Sequence, residues 1–349
     1  MDKKVIVTGG AGFIGSHTVV ELVEAGYQPV IIDDLRNSEE RSLEGMAKIT
    51  GRPVQFHRID LNDKKALDNV FEVEGAIAGV IHFAAYKAVG ESVREPLKYY
   101  ENNIGSLVTL LGTMRKFNVN ELVFSSSCTV YGQPESLPVT EDSPDQQANS
   151  PYGFTKIACE QLLRDQCAAD PDLKVVMLRY FNPIGAHPSG LIGELPIGIP
   201  NNLVPFVTQT AAGIREKLTV YGADHDTPDG SCIRDYIHVK DLAQAHLKAF
   251  EWMRKADRNL EVFNLGTGKG DSVLEVVHTF EEVNKVKVPY VIGPPRAGDV
   301  VAIYADTRKS NNVLGWKPRY GLAEALRDAW RWQCHLMNDQ TTTPNTTQE

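Results

Sequence analysis

The first half of the chain alternates short apolar runs with longer amphipathic stretches. The apolar runs are rich in Val, Ile and Phe and lack strict polar alternation, which is typical of strands covered on both faces. They lie at 5–8, 29–33, 54–58, 80–84, 121–126 and 174–179. The stretches between them include 14–25 and 106–117, which have the spacing of helices. This alternation predicts an α/β fold, a Rossmann-like, doubly wound parallel sheet.

The pattern changes after residue 180. Residues 182–205 are rich in proline and glycine and predict an irregular binding loop. Beyond it the spacing predicts helices near 206–216, 242–254, 273–283 and 322–336, with short strands between them. We expect one domain over 1–180 and a smaller α/β substrate domain over 181–337, some segments of which return to the first. The polar, Thr-rich residues 338–349 predict a disordered tail.

Composition narrows the classes of protein. The 349 residues are 42% hydrophobic and 23% charged, which is typical of a globular protein. A net charge of −9 without a dense basic block disfavours nucleic acid or an anionic membrane as partner. No signal peptide and no apolar run long enough to cross a bilayer is visible. The five cysteines are odd in number and form no Cys-x-x-Cys pair. This favours a reducing, cytoplasmic setting and no metal cluster.

A glycine-rich loop carries the strongest local signal. Gly9, Gly12 and Gly15 form a G-x-x-G-x-x-G pattern directly after the first apolar run and at the start of a helix. The first glycine permits a tight turn, the second lets backbone N–H groups approach a pyrophosphate, and the third allows close helix–strand packing. The helix N-terminus adds a favourable dipole for phosphate. The loop predicts a bound dinucleotide.

Acidic residues follow the next two strands. Asp33 ends the second apolar run, where a carboxylate accepts hydrogen bonds from the adenosine ribose and repels a 2′-phosphate. This favours NAD over NADP. Asp34 is adjacent and is a rival for the role, and a solvated strand-end acid is the alternative for either. Asp60 follows the third run, where the adenine amino group is expected to lie, or it is a plain loop aspartate.

The pattern Tyr-x-x-x-Lys occurs twice. Tyr152 and Lys156 follow Ser150-Pro151, a helix start, and would lie on one helix face. Tyr236 instead begins a strand-like stretch, so its Lys240 would lie about 13 Å away. We therefore choose Tyr152, whose phenol has an ordinary pKa near ~10. A nearby ammonium and a cationic nicotinamide would favour its phenolate.

Three serines, Ser125, Ser126 and Ser127, end the fifth apolar run, at the edge where parallel sheets bind ligands. A hydroxyl there can hydrogen-bond a substrate hydroxyl while the tyrosine moves the proton. No histidine or carboxylate pattern marks any of them as a nucleophile, so a hydrolase is disfavoured.

The glycine loop, the serines and the Tyr–Lys pair together resemble the extended short-chain dehydrogenase/reductase superfamily. Five further motifs narrow the resemblance to its UDP-glucose 4-epimerase family. They are FAAYKAVGES (83–92), LRYFNP (178–183), GAHPSG (185–190), GIPNNL (198–203) and RDYIHV (234–239). The resemblance runs from about residue 3 to about residue 335. It implies a homodimer with one NAD per subunit.

The resemblance also implies roles for individual residues. Ser127 and Tyr152 would act on the sugar 4-hydroxyl, and Lys156 would bind the nicotinamide ribose. The implied NAD contacts are Gly9, Gly12, Phe13, Ile14, Gly15, Asp33, Asn37, Asp60, Leu61, Phe83, Ala84, Lys87, Asn102, Asn103, Ser125, Tyr152, Lys156 and Tyr180. The implied UDP-sugar contacts are Ser127, Phe181, Asn182, Asn202, Leu203, Tyr221, Arg234, Arg296, Asp299 and Ile303. The two arginines suit a diphosphate, which guanidinium binds in a bidentate fork.

The implied reaction is reversible C4 epimerisation of UDP-glucose and UDP-galactose. Hydride passes to NAD and back, through a transient 4-keto sugar that turns its other face. In this family the position four residues after the aspartate of an Arg-x-Gly-Asp motif lies near the sugar C2 substituent, where Tyr accompanies restriction to these two sugars and Cys or Ser accompanies use of N-acetylated ones. Counting from Asp299, this position is Ile303, and the adjacent Tyr304 is the alternative if the register differs by one residue. Ile303 is neither, and this leaves weaker activity on UDP-N-acetylglucosamine open, or else the residue simply packs in the core.

Two rival functions remain. A nucleotide-sugar 4,6-dehydratase needs an acid–base pair, usually Asp-Glu just after the catalytic serine or threonine, and here Cys128-Thr129 follows Ser127. A non-catalytic NAD-sensing protein would not need the intact Ser127, Tyr152 and Lys156. Both are therefore disfavoured.

Overall fold

The computed structural model describes residues 3–144, 148–295 and 300–342. The strands are β1 (Lys4–Thr8), β2 (Gln28–Asp33), β3 (Gln55–Arg58), β4 (Gly79–His82), β5 (Glu121–Ser125), β6 (Lys174–Tyr180), β7 (Asn182–Ile184), β8 (Leu218–Tyr221), β9 (Ile233–Arg234), β10 (Tyr236–His238), β11 (Leu260–Leu265), β12 (Asp271–Ser272), β13 (Tyr290–Gly293) and β14 (Ala302–Ile303).

The α-helices are α1 (Phe13–Glu24), α2 (Arg41–Thr50), α3 (Lys64–Glu74), α4 (Val89–Arg94), α5 (Pro96–Tyr99), α6 (Gly105–Lys116), α7 (Pro151–Ala169), α8 (Leu203–Ala211), α9 (Val239–Met253), α10 (Val273–Asn284) and α11 (Leu322–Thr342). Tyr100–Ile104 and Ser310–Leu314 form π-helical turns, and Cys128–Tyr131 forms a 3₁₀ turn. None of the helices in the described residues is long and apolar enough to cross a bilayer.

Seven parallel strands form the central sheet, in the order β11-β6-β5-β4-β1-β2-β3. Both faces are buried: Val5 and Val7 of β1 belong to one apolar cluster, and Ile6 between them belongs to another. Successive side chains of a strand point to opposite faces, so a strand covered by helices on both sides reads as a continuous apolar run. The predicted fold class is confirmed.

Beyond residue 181 the chain forms three small sheets. They pair β10 with β7, β12 and β14 with β9, and β13 with β8. β11 returns to the central sheet beside β6, and α9 packs on α1. The chain therefore crosses between the two regions more than once, and the boundary at 180/181 stays a prediction.

Two predicted boundaries differ from the structure. The helix expected over 206–216 is α8, which begins at Leu203 and ends at Ala211, because Gly213 at φ +73° turns the chain away. The tail expected from Asn338 is helical as far as Thr342, since α11 continues through it. Residues 343–349 lie outside the described residues.

Candidate active site

A long cleft opens at the carboxyl edge of the central sheet, above β1 and β4, where the strand order reverses. Ligands bind at this position in doubly wound folds. The predicted residues that line it are Gly9, Gly12, Phe13, Ile14, Gly15, Asp33, Asn37, Asp60, Leu61, Phe83, Ala84, Lys87, Asn102, Tyr152, Lys156, Tyr180 and Asn202. The segment predicted to be a binding loop also contributes, from Ile192 to Asn202.

The glycine loop has no room for side chains at two of its positions. A Cβ on Gly9 would lie 2.7 Å from the Ala84 backbone nitrogen, and one on Gly15 would lie 2.3 Å from the Gly9 carbonyl oxygen. Gly12 is the N-cap residue of α1 and provides no side-chain cap. The first N–H groups of the helix therefore lack a side-chain acceptor and face the cleft, which is the arrangement that binds phosphate.

Asp33 is held towards the glycine loop. Its carboxylate accepts hydrogen bonds from the Ala11 N–H (3.1 Å), the Leu35 N–H (2.9 Å) and the Ser38 hydroxyl (2.9 Å). Burial raises the pKa of Asp33, and these three donors oppose the rise. Asp34, the rival acid, instead forms an ion pair with Arg36 at 2.7 Å. Asp33 is therefore the better placed of the two for a ribose.

Arg36 is a cleft residue that the sequence did not single out. Its guanidinium bonds Asp60 and donates to the Tyr86 hydroxyl at 3.0 Å, in addition to its pair with Asp34. It thus connects the loops that follow β2, β3 and β4. One arginine in an acidic loop gives no pattern from which these contacts between distant residues could have been predicted.

Glu194 is a second residue that sequence reasoning missed. Its Oε1 accepts from the Lys87 ammonium at 3.1 Å and from the Asn202 amide at 2.6 Å. It therefore joins the loop after β4 to the start of α8 across the cleft. Lys87 and Asn202 were both predicted as ligand contacts, and the carboxylate between them positions both.

The two neighbouring asparagines are not equivalent. Asn102 lines the cleft, whereas Asn103 is only 3% exposed. The Asn103 side chain accepts from the Tyr86 N–H at 2.8 Å and donates to the Tyr86 carbonyl at 3.0 Å and the Thr155 hydroxyl at 3.1 Å. Asn103 therefore supports the cleft wall, and Asn102 is the one that lines the cleft.

The catalytic candidates converge where β5 ends and α7 begins. Ser150 caps α7, accepting from the Gly153 N–H at 3.1 Å, and Pro151 occupies the first turn. Tyr152 and Lys156 then lie one turn apart on the buried face. Ser127 is 6% exposed, its hydroxyl accepts from the Thr129 N–H at 3.2 Å, and its side chain opposes the rise in the pKa of Tyr152.

Lys156 is fixed by the strand end. Its ammonium donates to the Ser125 carbonyl at 2.8 Å and lies 5.0 Å from the centre of the Phe124 ring. Burial lowers the pKa of Lys156 to about 8. The Ser125 hydroxyl donates to the Tyr180 phenol at 3.2 Å. Ser125 therefore connects Lys156 and Tyr180, both of which are predicted cofactor contacts.

The protein alone does not favour the Tyr152 phenolate. Burial raises the pKa of Tyr152, the nearby Tyr180 adds to the rise, and the hydrogen bond with Ser127 opposes it. The Lys156 ammonium, which donates to the Ser125 carbonyl, does not offset this rise.

The second Tyr–Lys pair lies elsewhere. Tyr236 begins strand β10, is 5% exposed and belongs to the apolar core. Lys240 ion-pairs with Glu21 of α1 at 3.6 Å. Neither lines the cleft, so the geometry favours Tyr152 and Lys156, as expected.

Two of the predicted sugar contacts lie in a small apolar cluster. Phe181 and Ile303 belong to this cluster, and Cys128 packs against it. Ile303 is 5% exposed and pairs in register with Arg234. Arg296 and Asp299 lie outside the described residues.

Four further substrate candidates lie near the ends of elements. Asn182 begins β7, Leu203 is the first residue of α8, and Tyr221 ends β8. Arg234 ends β9, and its guanidinium donates to the Ile233 carbonyl at 2.9 Å. Among the described residues, no carboxylate lies within ion-pair distance of it. Arg234 is therefore a cation available to an anionic ligand.

The sheet order, the glycine turn and the Tyr–Lys helix define a class of protein. A family model described as the NAD dependent epimerase/dehydratase family matches residues 5–266. The chain belongs to this family. The glycine loop that a Cβ would fill and the held Asp33 carboxylate both fit a dinucleotide.

Within that family the chain is similar to UDP-glucose 4-epimerases. That of Dictyostelium discoideum is 52% identical over 333 residues, which are 95% of this chain and 96% of the relative. The crystal structure of the Bifidobacterium longum enzyme in complex with NAD+ and UDP is 47% identical, with a TM-score of 0.92 over 96% of this chain and 99% of that one. The Stenotrophomonas maltophila enzyme, with bound NAD and formylated UDP-arabinopyranose, is 46% identical with a TM-score of 0.94, over 97% and 99% of the chains.

Proposed function

We propose that the protein interconverts UDP-glucose and UDP-galactose by epimerising C4, with NAD as a bound cofactor. The observation that carries the proposal is the meeting of Ser127, Tyr152 and Lys156 at the carboxyl edge of the sheet, beside the glycine-loop cleft. The similarity to UDP-glucose 4-epimerases over nearly the whole chain supports it.

The cofactor would lie along the cleft. The free N–H groups after Gly12 would bind the pyrophosphate, and Asp33 would accept from the adenosine ribose and exclude a 2′-phosphate. Asp60 would bind at the adenine end, with Asn102 and Lys87 along the opposite wall. Lys156 would hydrogen-bond the nicotinamide ribose while it stays on the Ser125 carbonyl.

When bound, NAD would supply a reversible hydride acceptor beside C4 of the sugar. Tyr152 would remove the proton of the 4-hydroxyl and later restore it, and Ser127 would hold that hydroxyl in line. Because burial holds the phenol protonated in the protein alone, Tyr152 becomes a base only when positive charge is placed against it. The base would thus be activated only in the complete complex.

The UDP group would be the fixed point during catalysis. Arg234 would pair with the diphosphate, with Arg296 as a second donor, and Asn182, Asn202, Leu203 and Tyr221 would contact the nucleotide. The sugar end meets the apolar cluster of Phe181 and Ile303. Such apolar contact would leave the 4-keto sugar free to turn between the two steps.

The test is conversion of UDP-galactose to UDP-glucose by purified protein without added NAD. We expect turnover, because the reaction has no net redox demand and the cofactor need not leave. UDP-glucose is read with a coupled UDP-glucose dehydrogenase, and bound nucleotide is measured by mass spectrometry. A 4-keto-6-deoxy product would instead indicate a dehydratase, and no product at all would contradict the proposal.

We further propose a homodimer built on one exposed apolar face. Val89 and Val93 of α4, Leu97 of α5 and Phe154 of α7 are all about half exposed or more, on helices that pack together. Apolar side chains clustered in this way mark association surfaces. Light scattering should give a dimer for the wild type and a monomer for Leu97→Glu.

The matched control for the dimer is Val73→Glu on α3, an equally exposed apolar residue. It should leave the dimer intact. A monomeric wild type would contradict the proposal. We also infer a cytoplasmic location, because all five cysteines are free thiols, as in a reducing compartment.

A further inference from the structure

Three consecutive residues at the end of β5 meet three residues of α7. Ser125 accepts from Lys156 through its carbonyl, and Ser127 lies close enough to Tyr152 to lower the pKa of its phenol. Between them, the Ser126 hydroxyl donates to Glu160 Oε1 at 2.6 Å. The first two contacts belong to the proposed chemistry. The third has no part in it.

Glu160 is buried in a fully paired network. It is 2% exposed, and Arg179 of β6 is 1% exposed. Arg179 binds it through two nitrogens, Nε to Oε1 at 2.9 Å and Nη2 to Oε2 at 2.6 Å. Arg179 Nη1 also donates to the Tyr131 hydroxyl at 3.1 Å, in the turn that follows Ser127. One carboxylate therefore joins α7 to β5, β6 and the turn after the catalytic serine.

Stability alone does not account for such a pair. Burying two charges costs several kcal/mol of hydration, and replacement of a buried ion pair by apolar residues is often neutral. What a bidentate pair does supply is fixed geometry, since both its distances and its directions are constrained. Here the pair fixes the position of α7, which carries Tyr152 and Lys156, relative to the end of β5, which leads into Ser127.

Glu160 also acts on the charge of Lys156. The described titratable groups coupled to this ammonium are His82 of β4, and Cys159 and Glu160 of α7, while the phenols of Tyr152 and Tyr180 line the same pocket. Burial lowers the pKa of His82 to about 3 and raises the pKa of Cys159 to about 11, so both are neutral near pH 7. Cys159 and Glu160 both raise the pKa of Lys156 against the effect of burial, and Glu160 is the one of the two that forms an ion pair, with Arg179 at 2.6 Å.

We propose that Glu160 is the positioning residue of this site. Through Ser126 and Arg179 it seats α7 on the end of β5 so that Ser127 and Tyr152 meet at the substrate, and its charge keeps Lys156 an ammonium. The inference rests on the proposed epimerase function.

The test uses Glu160→Gln in the full-length holoprotein, with UDP-galactose as substrate. We expect kcat to fall on the order of 100-fold, as misplacement of catalytic groups by about an ångström does, with KM little changed. The alkaline limb of the kcat–pH profile should move about one unit to lower pH, because loss of the nearby negative charge lets Lys156 lose its proton sooner.

Two further variants separate charge from geometry. Glu160→Asp keeps the negative charge but, with one methylene fewer, moves the carboxylate away from Ser126 and Arg179. We therefore expect kcat to fall while the alkaline limb stays in place. Ser126→Ala removes one hydrogen bond and keeps the ion pair, and kcat should fall with no shift of the limb. The matched control is Glu121→Gln, which removes a carboxylate paired with Arg254 at 3.3 Å at the other end of β5. It should change neither.

The proposal is overturned if Glu160→Gln lowers the melting temperature but leaves kcat and the alkaline limb as in the wild type. If that variant does not fold, wild-type kcat in Ser126→Ala overturns it instead. Failure of the proposed function is distinguishable, because the wild-type holoprotein itself would then give no UDP-glucose.

Discussion

Adding one methyl group to the glycine loop should have different consequences at two neighbouring glycines. In Gly15→Ala the new Cβ would lie 2.3 Å from the Gly9 carbonyl oxygen and 2.8 Å from the Gly10 Cα, both backbone atoms. The start of α1 must then move on the order of one ångström, and overpacking of this kind costs about 1–3 kcal/mol of folding free energy.

Gly12→Ala should leave the fold unchanged and weaken only the binding of the cofactor. Its Cβ meets the Gly9 oxygen at 3.3 Å and no other atom closely, and its φ of −75° and ψ of 177° suit alanine. The methyl group would instead lie against the helix N-terminus, where a pyrophosphate must approach. We expect NAD affinity to fall at least about tenfold, or ~1.4 kcal/mol.

The assay compares nucleotide-free proteins. Thermal unfolding should show a loss of a few degrees for Gly15→Ala and no loss for Gly12→Ala, at roughly 2–4 °C per kcal/mol. Calorimetric titration with NAD should show weakened binding for both. Equal loss of stability in the two variants, or normal NAD binding by Gly12→Ala, would refute the assignment of distinct roles to these glycines.

Two further substitutions test the chemistry and the choice of sugar. Tyr152→Phe should lower kcat about 10²–10⁴-fold with little effect on UDP binding, since the hydroxyl acts mainly in the transition state, and Ser127→Ala should act in the same direction. If steady-state kinetics found Tyr236→Phe more damaging, our choice of Tyr–Lys pair would be wrong. Ile303→Tyr should suppress any turnover of UDP-N-acetylglucosamine and leave UDP-galactose turnover nearly intact. An equal loss of turnover with both substrates would mean that Ile303, which is 5% exposed, supports the core.

Local patterns were enough to predict most of the fold. Strands covered on both faces are continuous apolar runs, so five of the six predicted strands agree with the structure to within one residue at each end, and the sixth, β4, ends two residues early, at His82. Helix ends were harder to predict. The stop of α8 depends on Gly213 at positive φ, and α11 continues to Thr342, into residues whose polar composition predicts a tail.

The sequence by itself also determined the chemistry-bearing positions whose spacing is local. The glycine loop and the Tyr152–Lys156 pair each lie within one helix start or one helix turn, so chain spacing sets their geometry. Those positions line the cleft.

Only the tertiary structure decided the contacts between residues far apart in the chain. Asp33 could be distinguished from Asp34 because Asp33 accepts from the glycine loop whereas Asp34 pairs with Arg36. Asn102 could be distinguished from Asn103 because the side chain of Asn103 bonds the Tyr86 backbone. The contacts of Glu160 and Glu194 likewise join strands and loops that are distant in sequence. A carboxylate or an amide has no periodicity that reveals its partner, because its partner is set by how the sheet brings separate strand ends to one edge.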